Sequence, residues 1–121
     1  MNSSLAIWLA AAVGAAGCGG SGLGADTRAD ITAQMASAQP PLAACYHTGL
    51  QANRKLVGSM VIAFAAAPGT GQFTDIQITR DELGDPALRQ CVIDELGKLK
   101  LARPPATRLA ISYPIHFAPN P

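Results

Sequence analysis

The side chains best placed to do chemistry in this 121-residue chain are its three cysteines, Cys18, Cys45 and Cys91. Cys18 stands in "AAGCGGSGLGAD", between an apolar run and a stretch of small residues, whereas the other two lie in apolar-periodic segments far down the chain. A thiol can carry a lipid, ligate a metal, exchange electrons or close a disulfide, and its surroundings decide which. A metal site would have to recruit His47 and His116, the two imidazoles of the chain. Cys45 and His47, two residues apart, do not share a helix face, and the sequence has no C-x-x-C pair, so no metal site is expected. Nor does either distal cysteine have the adjacent partner that lowers a thiol pKa in redox motifs. No cofactor is expected.

The environment of Cys18 bears on the compartment. Leu5 to Ala16 is an uncharged apolar run of twelve residues. A membrane-spanning helix needs about 20, and twelve suits the hydrophobic region of a secretory signal. Ala15-Ala16-Gly17-Cys18 is similar to the bacterial lipobox, in which small residues precede a cysteine that is acylated and becomes the new N-terminus. The expected organisation is a lipoprotein-type signal peptide over 1–17, a lipid-attached flexible tether over 18–30, and a folded domain over 31–121. An ordinary cleaved secretory signal with an incidental cysteine is the alternative. Glycines 19, 20, 22 and 24 leave the tether little to bury. Gly19, rather than an aspartate, follows the cysteine, which points to the periplasmic face of the outer membrane. More than one acyl chain anchors far more firmly than the marginal hold of a single chain.

Export would place Cys45 and Cys91 where disulfides persist. Behind Pro40-Pro41, residues Leu42, Cys45, Tyr46, Gly49 and Leu50 recur on one helical face. Asp85-Pro86 is an N-cap followed by proline, and opens a second helix lined by Leu88, Cys91, Val92, Leu96 and Leu99. Both cysteines therefore point toward one core, where they either bridge or remain two buried free thiols. Between the helices, Met60, Ile62 and Phe64 alternate as a half-buried strand requires, and 73–79 returns with Ile76 and Ile78 inward. Ala67-Pro68-Gly69-Thr70-Gly71 is turn chemistry. After the second helix, Leu109, Ile111, Tyr113, Ile115 and Phe117 alternate strictly. Pro114 cannot donate to a ladder, so this last strand belongs at an edge or carries a bulge.

The stretches "LAACYHTGL…LVGSMVIAF", "GDPALRQCV" and "LAISYPIHFAP" resemble the C-terminal domain shared by the myxobacterial gliding proteins AgmX and PglI, itself related in pattern to the periplasmic domain of TonB-type energy transducers. The resemblance spans 31–119, and rests on Cys45-Tyr46, the strand led by Gly58, Asp85-Pro86 before Cys91-Val92, and Tyr113-Pro114 before Phe117. It implies a Cys45–Cys91 disulfide. The expected fold is thus α+β: a three-stranded antiparallel sheet with two helices packed on one face, TonB C-terminal-domain-like, stapled by one disulfide. Energy coupling is not carried over, because the leader is read as cleavable rather than membrane-spanning.

Composition narrows the function. Nine basic and eight acidic residues give a net charge of +1 without a basic stripe, which argues against nucleic acid. Aromatics are only 5% of residues, so the core is small and built mainly from Leu, Ile, Val and Phe. No nucleophile–base–acid pattern, carboxylate pair or phosphate-cradling loop stands out, and Asp81, Glu82 and Asp85 read as a solvated turn with helix capping. Tyr46 and Tyr113 are expected to pack with their hydroxyls at the core rim. The expectation is a non-enzymatic envelope lipoprotein, membrane-held through its N-terminal lipid. Its domain docks on a protein partner, in a motility, transport or secretion complex, with no small-molecule substrate. TonB-like domains add a partner strand to a sheet edge, which makes the final strand (Leu109, Ile111, Tyr113, Ile115, Phe117) the candidate surface. The alternative is a periplasmic enzyme inhibitor or stability factor, presenting the loop at 66–72 or 100–107.

Overall fold

The computed structural model describes residues 24–119 in full and 5–9 by their backbone path. Its elements run β1 (Leu5–Leu9), α1 (Ala25–Ser37), α2 (Gln39–Ala52), β2 (Gly58–Ala66), β3 (Phe73–Asp81), α3 (Pro86–Leu96) and β4 (Leu109–Pro119). The strands pair antiparallel, the β2–β3 hairpin receiving β4 on the free side of β2 and β1 adding to the far side of β4, which gives the order β1-β4-β2-β3. An α+β fold with a Cys45–Cys91 disulfide is what the structure shows.

The period-two patterns of β2 and β4 dictate their faces. Met60, Ile62 and Phe64 on β2, with Ile111, Tyr113, Ile115 and Phe117 on β4, are buried in a single core. The helices cover this face through Ile31 and Met35 of α1, Leu42, Cys45 and Tyr46 of α2, and Leu88, Val92 and Leu96 of α3. Each fully buried Leu, Ile or Phe removes enough apolar surface from water to favour folding by about 1.5–3 kcal/mol. On the opposite face Ser59, Val61 and Ala63 of β2 stay partly exposed, as do Ser112 and His116 of β4 more fully.

Three helices replace the expected two. Helix α1 begins at Ala25, inside the segment expected to be a flexible tether through residue 30. It was hidden because only Ile31 and Met35, one helical turn apart, reach the core from an otherwise polar surface. The chain then breaks at Ala38, the cap shared by α1 and α2. Pro40 and Pro41, lacking amide hydrogens, cannot bond back to the carbonyls of α1, yet fit the first turn of α2 where those donors are unpaired anyway.

Strand β3 departs from simple alternation. Its register against β2 shifts between Val61 and Ile62 and again between Ala63 and Ala65. At the second shift three steps on β3 (Gln77 to Thr74) oppose two on β2, and Asp75 takes a positive φ of 54°. The extra residue lets Phe73 and Ile76, three apart, both pack against the core. Helix α3 starts as its sequence demands: the Asp85 side chain accepts a hydrogen bond from the Leu88 N–H at 3.0 Å, with Pro86 as first helical residue.

Candidate functional site

The last strand holds the candidate surface, and its geometry separates two roles. One edge of β4 is fully used: Leu109 to Phe117 pair with Ala66 to Gly58 of β2, without a register shift. The other edge bears β1 over its final five residues, in the register Leu5↔Pro119, Ala6↔Ala118, Ile7↔Phe117, Trp8↔His116 and Leu9↔Ile115. Pro114, which cannot donate, immediately precedes the covered ladder, and Pro119 is its last paired residue. Pro114 itself stands opposite Val61 of β2 with no bulge, one residue short of the β1 ladder. Helix α2 approaches β1 closely, bounding the same strip from the helical layer.

The five side chains singled out by sequence do not project toward a partner. Ile111, Tyr113, Ile115 and Phe117 are at most 3% exposed, and Leu109 packs partly against the same core. They fix the strand in place, and any recognition at this edge runs through backbone N–H and C=O groups. Phe117 is held by Tyr46 of α2, the ring centroids 5.3 Å apart with the planes tilted by 43°.

Neither tyrosine hydroxyl is placed as expected. Tyr46 and Tyr113 both belong to the fully buried core rather than its rim. The Tyr46 hydroxyl donates to the backbone carbonyl of Leu56, which fastens the α2–β2 connection to the helix. Burial pushes both phenols above the ordinary tyrosine pKa of 10.0, because the anion would lose its hydration.

Cys45 and Cys91 are bonded, with Cα atoms 5.9 Å apart, and link α2 to α3. A cleft of about 250 Å³ beside the bridge is lined by Thr48, Gly49, Ala52, Asp85 and Leu88, among others. Its carboxylate, Asp85, is occupied as the α3 cap. Asp81 accepts from the N–H groups of Leu83 and Gly84 and pairs with Arg89 at 3.1 Å, while Glu82 accepts from the Ser59 N–H. This acidic cluster is therefore spent on turn and strand backbone. His47 and His116 are exposed, and among the described residues no group of three or more His, Cys, Asp or Glu is positioned to hold a metal.

One pairing escaped sequence reasoning. Ser59 Oγ lies 3.0 Å from His116 Nδ1, because the β2–β4 register sets residues 57 positions apart opposite each other. A catalytic serine also needs an acid to orient its imidazole. Here the nearby Glu82 bonds the Ser59 backbone instead, and the pair sits on the partly exposed outer sheet face. It serves as a cross-strand polar contact.

The loops considered as protrusions are fastened to each other. Gly69 donates to the Pro105 carbonyl, Leu101 to that of Gly71, and Phe73 to that of Leu99. Asp30 of α1 then accepts from the backbone N–H groups of both Ala102 and Arg103, which clamps the second loop to the first helix.

Cys18, the expected lipid carrier, lies outside the described residues, as does the rest of the leader beyond Leu5–Leu9. No helix among the described residues is long and apolar enough to cross a membrane. Comparison with protein-family models, with curated proteins and with solved structures finds no match to this chain.

Proposed function

We propose that this chain is a non-enzymatic envelope lipoprotein, anchored through Cys18, whose α+β domain docks on a protein partner by accepting a strand at the outer edge of β4. The observation that carries this reading is the antiparallel ladder between Leu5–Leu9 and the end of β4. That edge accommodates a fourth strand in regular register, although its side chains face the core. Strand addition draws its affinity from main-chain hydrogen bonds and needs few specific side chains. The resemblance to the AgmX/PglI C-terminal domain and to TonB-type domains supports the same reading.

The test is partner capture by the processed chain with single proline substitutions at Ala110, Ser112 and Ala118, all outside the core. Variants that keep the parental thermal midpoint but lack a donor on the outer edge are expected to lose the partner. Undiminished capture by every folded variant removes the assignment.

A further inference from the structure

The backbone of Leu5–Leu9 lies along the outer edge of β4, at the end of the sheet. Its place in the fold is defined by the β4 ladder and the nearby α2. It is an added strand, occupying the edge on which the proposed function depends. We infer that Leu5–Leu9 is an internal cap: while the leader is attached it closes the receiving edge of β4, and its removal opens that edge to an extended, uncharged, apolar peptide segment of the partner, antiparallel to β4. This inference rests on the docking reading and adds to it a control step and the chemistry of the guest.

The register supports the cap and describes its replacement. Positions 5, 7 and 9 fall opposite Pro119, Phe117 and Ile115, of which the latter two are fully buried. In an antiparallel pair, directly opposed residues share a face, so a guest with apolar residues at alternate positions would extend the hydrophobic face beneath α2. Leu, Ile and Leu occupy those positions here, and the chain carries no charge before Asp26. A charged residue would place an unpaired charge beside that apolar layer, which is costly.

The connection is long enough for the cap to come and go. From Leu9 to Gly24 the chain has fifteen residue steps, which can span up to about 50 Å when extended. A strand tethered at this range competes at an effective concentration on the order of millimolar, so a free peptide of equal intrinsic affinity at micromolar concentration is outcompeted by roughly a thousandfold. A closed precursor would therefore not engage partners before its leader is cut.

The experiment uses the full 121-residue chain and its Ile7→Pro and Trp8→Pro variants. Adjacent strand residues send their N–H groups to opposite sides, so one of the two prolines removes a donor facing β4. Amide hydrogen exchange is read at His116 and Ala118, whose N–H groups face the outer edge, with the β2–β3 amides as the control for folding. The expected result is at least tenfold faster exchange at that edge in one variant, with the β2–β3 amides unchanged. A labelled synthetic peptide of sequence SLAIWLA then binds that variant at least tenfold more tightly than the parental chain. Equal edge exchange in all three chains overturns the inference, as does equal peptide affinity for parental and variant chains. The docking reading fails separately: an edge that the cap leaves and the peptide refills, in a protein whose partner capture ignores proline at Ala110, Ser112 and Ala118, keeps the cap and loses the partner.

Discussion

Tyr46 stands at the junction of three elements, its ring against Phe117 of β4 and its hydroxyl bonded to the Leu56 carbonyl just before β2. Replacing it by phenylalanine keeps the ring contact and orphans a carbonyl. A buried polar group left unpaired costs about 1–3 kcal/mol. The Tyr46→Phe variant is expected to lose that much unfolding free energy, read as a lower urea midpoint at an unchanged denaturant slope. An unaltered midpoint would mean that water replaces the phenol.

The helical half of this junction was readable beforehand, and the hydroxyl was not. Leu42, Cys45 and Tyr46 repeat at helical spacing, and Met60, Ile62 and Phe64 alternate as a strand must, so both faces follow from periodicity alone. Leu56, by contrast, comes ten residues after Tyr46, in a connection whose path is set by tertiary packing. The bulge at Asp75 escaped for a similar reason, since an inserted residue breaks the alternation on which strand reading relies. Helix α1 presents just two apolar anchors, and the β4 edge is a backbone surface, which leaves no mark on residue types.

Reducing the Cys45–Cys91 bridge releases a loop with a sequence separation of 46 residues. The chain-entropy treatment assigns about 4 kcal/mol to such a closure. Urea denaturation with and without reductant, or of the Cys45→Ala, Cys91→Ala double variant, is expected to show a loss of that order. A loss below about 1 kcal/mol would mean that α2 and α3 hold each other by packing alone.

Alkaline pH should unfold the domain through its buried phenols. In the folded state Tyr46 and Tyr113 titrate above 10.0, their ordinary value, because burial disfavours the anion. The unfolded chain ionises first, so the stability these groups confer is complete below pH 10.0 and is lost as pH rises from there through the folded-state pKa values. Phenolate absorbance and far-ultraviolet circular dichroism followed together should change in one cooperative step above that pH. Phenolate formation at the ordinary value in a chain that stays folded would contradict the burial.

Gly71 is expected to resist substitution. Its φ is +75°, and a β-carbon there would lie 3.0 Å from the Leu101 carbonyl oxygen, within the contact that binds the two end loops. Gly71→Ala combines left-handed strain with a backbone clash, and should lower stability by about 1–3 kcal/mol. Gly69, with a similar φ but open space around its β-position, supplies the control, since there alanine meets only the conformational penalty. Equal losses at both sites would show that the loop contact yields freely.

Pro114 also has a consequence for solubility. Exposed strand edges template further chains, and the hazard grows with the length of uninterrupted donors. Without an amide hydrogen at Pro114, the outer edge of β4 has a gap between the Ser112 and His116 donors, which interrupts the continuous rail along which copies of the protein could stack into fibrils.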